Sequence, residues 1–290
     1  EEYVEDAPFS PFPTWMTTER PDRVTGALLE GRVAMVIDGT PFQLIAPATF
    51  TMFLSSSEDY FDRSYIGTFV RLLRFAAFFL SLTLSSLYVA VTTFHQEMLP
   101  TPLILNIAAQ REGVPVPAAL EAIIMELIFE LMREAGVRLP RIIGPAISII
   151  GALVLGDAAI RAGLVSPIMV VMVASTGIAS FATPVFSFAI SIRLLRFVFL
   201  LLAGSLGLFG VIVGLLAVLM HLASLRSLGV PYLEPLAPIV VADLKDALIR
   251  VPWWKMDTRP QLVGPGGSRR QSQGLKPRPP SENGEKEDRL

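Results

Sequence analysis

The sequence predicts a mainly α-helical, polytopic membrane protein with about four transmembrane helices and one amphipathic interfacial helix, preceded by the end of a soluble α/β domain. Its 290 residues are 52% hydrophobic and only 17% charged, whereas soluble domains carry about 25% charged residues. The charges concentrate in residues 1–74 and 226–290. Between them lie stretches that reach the ~20 apolar residues needed to cross a bilayer.

The N-terminal part of the chain has the pattern of a soluble domain. Residues 22–30 predict a short helix, and residues 33–47 predict a β-hairpin that turns at Asp38 and Gly39. Because two strands do not form a stable unit alone, we interpret residues 1–60 as the C-terminal remnant of a soluble cytoplasmic domain. We therefore expect the chain to be part of a longer protein.

Four apolar stretches within residues 61–257 predict a transmembrane helical domain. Pro184 is expected to kink the third stretch, and the charges in the connections do not indicate the membrane orientation. Residues 258–290 are rich in Pro, Gly, Ser and charge, which predicts a disordered tail. The predicted spans are residues 75–94, 142–160, 168–192 and 197–225.

A fifth apolar stretch, residues 118–132, is too short and too acidic for an ordinary span. The helical period places Glu126, Glu130 and Glu134 on one face. This predicts an amphipathic helix that lies in the membrane interface or packs on the bundle. Glu121 falls on the apolar side, in the first helical turn, where a carboxylate suits the helix dipole.

Hydroxyl side chains form a continuous face on the first and third predicted spans. Such faces line the water-filled paths of channels. They also occur at buried helix contacts, where Ser and Thr bond a carbonyl of their own helix, and residue pattern alone favours that packing alternative. The candidate pore-lining residues are Ser81, Ser85 and Thr92 on the first span, with Thr176, Ser180, Thr183 and Ser187 on the third.

Small residues form a seam on each of the other two spans. Such seams let helix backbones approach closely, which matters because lipid supplies no hydrophobic drive for helix association. We therefore predict helix packing along both seams. The candidate helix-packing residues are Gly144, Ser148 and Gly151 on the second span, with Gly207, Gly210 and Gly214 on the fourth.

Two arginines, Arg193 and Arg196, lie in the short connection between the third and fourth spans. Charges this close to a membrane predict a functional role. They are expected to pair either with lipid phosphates or with the acidic face that carries Glu126 and Glu130. We treat these four residues as candidate coupling charges.

Catalytic and cofactor-binding patterns are missing from the sequence. There are two histidines and no cysteine, and no zinc-protease, serine-hydrolase, phosphate-loop or dinucleotide motif occurs. The formal net charge of -2 gives no indication of nucleic-acid binding. The sequence therefore predicts a non-enzymatic protein without a cofactor or metal.

Several strings, in order along residues 19–260, resemble the GerA family of spore germination proteins, which includes germination receptor A subunits and the related SpoVAF proteins. One motif, RLLRF, occurs twice, at Arg71 and at Arg193. The longest strings are LLEGRVAMVIDGTPF (28–42), LYVAVTTFHQEMLPTPL (87–103), MELIFELMREAGVRLPR (125–141), HLASLRSLGVPYLEPLAP (221–238) and DLKDALIRVPWWKM (243–256).

The resemblance implies a multi-pass protein of the spore inner membrane with a cytoplasmic N-terminal domain. It implies partners, namely a transporter-like B subunit and a lipoprotein C subunit, and a homo-oligomer that forms a germinant-gated ion channel. Two other functions stay open. The repeated RLLRF string fits a secondary transporter or permease built from repeats. A non-conducting scaffold subunit of the receptor cluster is the third hypothesis. The motifs fit a receptor A subunit and a SpoVAF-like member equally.

Overall fold

Helices make up most of the computed structural model, which describes residues 3–138, 151, 156–263, 269–272 and 274–277. Short strands lie at both ends of the helical region, and the short helical turn Ala159–Arg161 directly follows a π-helical turn at residues 156–158. The strands are β1 (Met16–Thr18), β2 (Val33–Val36), β3 (Gln43–Ala46), β4 (Arg226–Ser227) and β5 (Val230–Pro231). The helices are α1 (Pro21–Glu30), α2 (Phe50–Leu54), α3 (Ser64–Phe94), α4 (Thr101–Arg111), α5 (Ala118–Arg138), α6 (Pro167–Phe181) and α7 (Phe186–Ser224).

The N-terminal segment folds into a helix and a three-stranded antiparallel sheet of order β1-β3-β2. The predicted helix is confirmed as α1, which ends at Gly31 in the left-handed conformation. The predicted hairpin is confirmed as β2 and β3, with Gly39 at a positive φ of 83° in the turn. β1 was missed because its three residues are too few to show a strand alternation.

This N-terminal segment packs against the helices and shares their hydrophobic core. The rings of Phe50 and Phe53 lie 5.7 and 5.2 Å from the ring of Phe188 in α7. The hydroxyl of Tyr232 donates to the carbonyl oxygen of Pro13 at 3.0 Å. The domain boundaries predicted at 1–60, 61–257 and 258–290 stay predictions, and much of the predicted tail lies outside the described residues.

Two helices of the described chain, α3 and α7, are long and apolar enough to cross a membrane, and α6 is a shorter apolar helix. The first predicted span lies within α3. About two thirds of the second, residues 142–160, lies outside the described residues, and a count of four spans is therefore not established.

The third predicted span, residues 168–192, is wrong as a single helix. α6 ends at Phe181 and α7 begins at Phe186, so the predicted kink is a complete break. The cause is Pro184, which has no N–H to donate and disfavours helical geometry in the residue before it.

The fourth predicted span, residues 197–225, is also wrong as one straight helix, because α7 folds back on itself. Gly207 has φ 63° and ψ -142°, which is not helical. A methyl group on Gly214 would lie 3.2 Å from the ring of Phe199, fifteen residues earlier, whereas fifteen residues of straight helix span about 22 Å. α7 is therefore a hairpin of a first arm (186–206) and a second arm (208–224).

α5 is amphipathic as predicted. From its start to Glu126, however, its acidic side chains lie inside the helix bundle and not in water. Glu121 and Glu126 are buried, while Leu127 and Leu131 on the apolar face are 52% and 62% exposed. α5 packs on α3, α6 and the first arm. Of the two predicted positions, the contacts support packing on the bundle, and a position in the membrane interface stays a prediction.

Candidate functional site: a buried ion-pair cluster in the helix bundle

Four helices meet at a buried charge pair, which we call the central cluster: Ser81, Ser85, Glu126, Thr176 and Arg196. Arg196 and Glu126 are each only 2% exposed. Nη1 of Arg196 donates to Oε2 of Glu126 at 2.7 Å, and its Nε donates to the carbonyl oxygen of Ser81 at 2.8 Å. The hydroxyls of Ser85 and Thr176 donate to Oε1 of Glu126 at 2.9 and 3.1 Å.

A second layer of charge lies one helical turn away. Arg193, three residues before Arg196, donates to Oε1 of Glu130, four residues after Glu126. Arg133 lies 3.6 Å from the other oxygen of Glu130 and donates to the hydroxyl of Ser180 at 2.9 Å. Because spacings of three and four residues stay on one helical face, the arginines of the first arm and the carboxylates of α5 meet in two successive layers.

Glu121 makes a third buried site, whereas its position in the sequence indicated only a carboxylate in the first turn of α5. It is 1% exposed. Its Oε1 accepts hydrogen bonds from the amide and the hydroxyl of Ser166, at 2.6 and 2.7 Å. Arg111 lies 3.8 Å from its Oε2. The one sign of this site in the sequence is a carboxylate on the apolar side of α5. Its partners could not be predicted, because they belong to other segments of the chain.

The hydroxyl side chains on α3 and α6 lie in the interior of the helix bundle that this single chain forms. Ser85 and Thr176 bond to Glu126, as described above. Other members bond carbonyls of their own helices, Ser81 to Phe78 at 2.9 Å and Thr92 to Tyr88 at 2.7 Å, and Ser180 bonds Gly177 in the same way. The buried hydroxyls of Thr183 and Ser187 have no partner within the described part of the chain. A pore-lining role for these residues stays a prediction.

The glycine seam of α7 lies where the two arms of the hairpin approach each other. A methyl group on Gly210 would overlap the carbonyl oxygen of Leu202, and one on Gly207 would lie 2.9 Å from Cβ of Phe94 at the end of α3. Gly151 lies against the sulfur of Met132 in α5. The two other predicted packing residues, Gly144 and Ser148, lie outside the described residues.

The two arginines of the first RLLRF string, in the first part of α3, also pair with carboxylates. Asp59 lies 3.4 Å from Nε of Arg71 and 2.7 Å from Nη1 of Arg74. Nη1 of Arg71 also lies 3.2 Å from Oδ1 of Asp246, which accepts a hydrogen bond from the hydroxyl of Tyr60. Burial raises the pKa of Asp246, and Arg71 opposes that rise. Both strings therefore anchor a helix through an arginine pair.

Metal binding finds no support in the part of the chain that the structure describes, where no three His, Cys, Asp or Glu side chains are grouped to hold an ion. The central cluster can hold helices together, and it can change state only if water or another charge reaches it, because an unpaired buried charge is costly.

Comparison with known proteins places these features in a family. The family described as "Bacillus/Clostridium GerA spore germination protein" matches residues 1–262. The chain is 55% identical over 284 residues to spore germination protein KA of Bacillus subtilis (strain 168), covering 98% of the chain and 52% of that protein. It is 44% identical over 263 residues to spore germination protein GerLA of Bacillus cereus, covering 91% of the chain and 54% of that protein.

A third relative is described as a membrane protein. The uncharacterized membrane protein YfkQ of Bacillus subtilis (strain 168) is 48% identical over 270 residues, covering 93% of the chain and 53% of that protein. The chain thus spans about half the length of these relatives. No solved structure matches it. The length of the family match and these identities establish that the chain belongs to the GerA family of spore germination proteins.

Proposed function

We propose that this chain is the membrane part of a spore germination receptor subunit, which oligomerises into a germinant-gated ion channel of the spore inner membrane. Family membership and the names of the relatives support a role in germination. One apolar helix of spanning length, α3, and the two apolar arms of α7 support a membrane location. The subunit would act without catalysis, together with a transporter-like B subunit and a lipoprotein C subunit.

The observation that carries the channel proposal is the pairing of Glu126 with Arg196 inside the bundle. In this proposal the pair holds the closed state, because it joins α5 to the first arm and, through Ser81 and Thr176, to α3 and α6. A partner that moved one of these helices would separate the charges. Water would then enter to solvate them, and the hydroxyls now bonded to Glu126 would face that water.

The transporter alternative loses its main support. It relied on the second RLLRF string as a sign of an internal repeat, but both strings are explained by arginine pairs that bond carboxylates, of which Asp59 and Glu126 are buried. A scaffold alone would have little need for a buried ion pair, since an apolar contact of the same volume stabilises a bundle equally well or better.

The test is single-channel recording of the full-length protein, purified with its partner subunits and placed in planar bilayers. Thr183→Phe should block or strongly reduce the conductance. Ser205→Phe is the matched control, because Ser205 is exposed on the first arm of α7 and its hydroxyl bonds a carbonyl of its own helix, so this change should leave conductance unchanged. Absence of conductance in the unaltered complex would favour a scaffold, and equal conductance in both variants would remove Thr183, in the break between α6 and α7, from the ion path.

A further inference from the structure

A small polar cavity of about 90 Å³ lies outside the bundle, between the end of α1, the segment around α2 and the chain that follows β5. Its position joins the N-terminal segment to the start of α3, since one of its lining residues, Asp246, also bonds Arg71. The lining residues that matter here are Glu30, Arg32, Thr51, Glu234, Asp243 and Asp246.

Glu234 is the unusual residue of this cavity. It is 3% exposed, and neither of its carboxylate oxygens meets a donor in good hydrogen-bond geometry among the residues described, although the backbone amide of Leu262 lies close enough to lower its pKa. Buried carboxylates are nearly always hydrogen-bonded or paired, because burying an unpaired charge is costly. A carboxylate this well buried and this short of well-placed donors indicates that a bound group supplies a further donor.

The other carboxylates of the cavity do have partners. Asp246 accepts from Tyr60 at 2.9 Å, and Asp243 accepts from the amide of Gln261 at 2.8 Å. Glu30 lies 3.5 Å from Nε of Arg32. Arg71 also lies 3.2 Å from Asp246, and Arg270 lies 3.8 Å from Glu30. Of the four carboxylates in the lining, Glu234 and Asp243 are therefore the two that lack an ion pair of this kind in the described chain, and the excess of negative charge lies at these two residues.

The pKa shifts of the carboxylates in the cavity also favour the binding of a cation there. Burial raises the pKa of Glu234, Arg32 lowers it, the neighbouring carboxylate of Asp243 raises it, and the backbone amide of Leu262 lowers it. Burial also raises the pKa of Asp246, to which the charge of Glu30 adds. The carboxylates thus repel one another, and a cation placed among them would relieve that repulsion.

We propose that this cavity binds a small primary ammonium cation, whose N–H groups donate to the carboxylate of Glu234 and to the hydroxyl of Thr51. An ammonium group fits better than a metal ion because, in the described chain, no three His, Cys, Asp or Glu side chains converge on one point. A volume of about 90 Å³ corresponds to roughly three water molecules. The ligand therefore has only a few non-hydrogen atoms.

The experiment titrates ethylammonium chloride into the full-length protein in lipid nanodiscs and follows binding by calorimetry and by the thermal unfolding midpoint. Potassium chloride and tetramethylammonium chloride at equal ionic strength are the comparison titrations, since neither cation carries an N–H donor. We expect saturable binding and a raised midpoint with ethylammonium only.

Two variants locate the site. Glu234→Gln should weaken ethylammonium binding by more than about tenfold, because it removes a charge-assisted hydrogen bond. Asp62→Asn makes the same change of charge at an exposed position and should leave binding unchanged. Thr51→Val, which keeps the carboxylate, should weaken binding less than Glu234→Gln.

Three results would overturn the proposal: no saturable binding of ethylammonium, an equal response to potassium, or unchanged binding in Glu234→Gln. If that variant fails to fold, the comparison of the three cations on the unaltered protein decides the question. An ethylammonium response no larger than that of tetramethylammonium means that the cavity holds water.

Discussion

Arg196 of α7 connects three helices. Its guanidinium bonds the carboxylate of Glu126 in α5 at 2.7 Å and the carbonyl oxygen of Ser81 in α3 at 2.8 Å. The two partners are 70 residues apart in sequence. Both charged side chains are almost fully buried. This arrangement makes the stability of the bundle sensitive to the loss of either charge.

Replacing Glu126 with Gln should destabilise the bundle by about 3–5 kcal/mol, because Arg196 would keep its buried charge without a counter-ion. The measurement is the unfolding free energy of the protein in nanodiscs. Glu134→Gln is the control, since the side chain of Glu134 is 55% exposed and its loss should cost well under about 1 kcal/mol. Equal effects of the two substitutions would show that the central cluster does not hold the helices together.

Replacing Gly207 with Ala should cost about 1–3 kcal/mol through backbone strain alone, because the φ of 63° and ψ of -142° are open almost only to glycine. The added methyl group would also lie 2.9 Å from Cβ of Phe94. Thermal unfolding in nanodiscs measures the loss.

Gly136→Ala in α5 is the matched glycine control. A methyl group there meets no atom within 4 Å, and alanine favours a helix over glycine by up to about 1 kcal/mol. We expect it to be neutral or stabilising. A Gly207→Ala protein as stable as the unaltered one would contradict the reversal of α7 at this residue.

Reversing the charge of Glu130 or Arg193 alone should lower the yield of folded protein, because each leaves like charges together in the second layer. The double variant Glu130→Arg with Arg193→Glu should recover part of the loss. Recovery will be incomplete, since Arg133 lies 3.6 Å from Glu130 and would then face another arginine. The readout is the monodisperse fraction after purification.

The same swap at Glu134 and Arg138 tests whether pairing as such matters. This pair is 2.7 Å apart, but its side chains are 55% and 78% exposed. Single reversals there should have little effect, because exposed ion pairs contribute little to stability. If the Glu130 and Arg193 double variant behaves no better than its single variants, the pairing has no role in holding α5 to the first arm.

Stability should fall with rising pH because of Glu234. Burial raises its pKa above the ordinary value of 4.5, so the folded protein holds the proton more tightly than the unfolded chain. Below the ordinary pKa both states are protonated and Glu234 has no effect. As pH rises towards the raised pKa the unfolded chain loses its proton first, and the folded state becomes less stable relative to it.

The thermal midpoint of the protein in nanodiscs, measured from pH 4 to pH 8, checks this sign. Glu234→Gln should reduce the decline, because it removes the titrating group. Asp246, whose pKa burial also raises, leaves a remaining slope of the same direction. A variant with a steeper decline than the unaltered protein would show that the carboxylate of Glu234 is charged and stabilising in the folded state.

Local features were predictable wherever a short stretch of sequence decides them. The turn at Gly39 and the left-handed end of α1 at Gly31 follow from glycine's access to positive φ. Pro184 indicated a disturbance of the third span, but a proline alone does not distinguish a kink from a complete break. The three residues of β1 became a strand only because β3 was available to pair with them.

The direction of α7 could not be predicted in the same way. Glycines at 207, 210 and 214 indicated close packing, but not with which helix. In the structure Gly210 and Gly214 pack on residues of the first arm of α7, whereas Gly207 lies on Phe94 of α3. The reversal depends on the φ of a single residue, and a hydrophobic pattern has no signal for it.

By itself the sequence determined the apolar helices, the N-terminal hairpin, the family, and the spacing that places arginines and carboxylates on helical faces. Only the tertiary structure decided that the acidic face of α5 turns inward and that Glu126 meets Arg196, Ser85 and Thr176. The physical reason is that helical periodicity is a local property of the chain. A buried charge, by contrast, is stabilised by whichever distant partner the fold brings within hydrogen-bond distance.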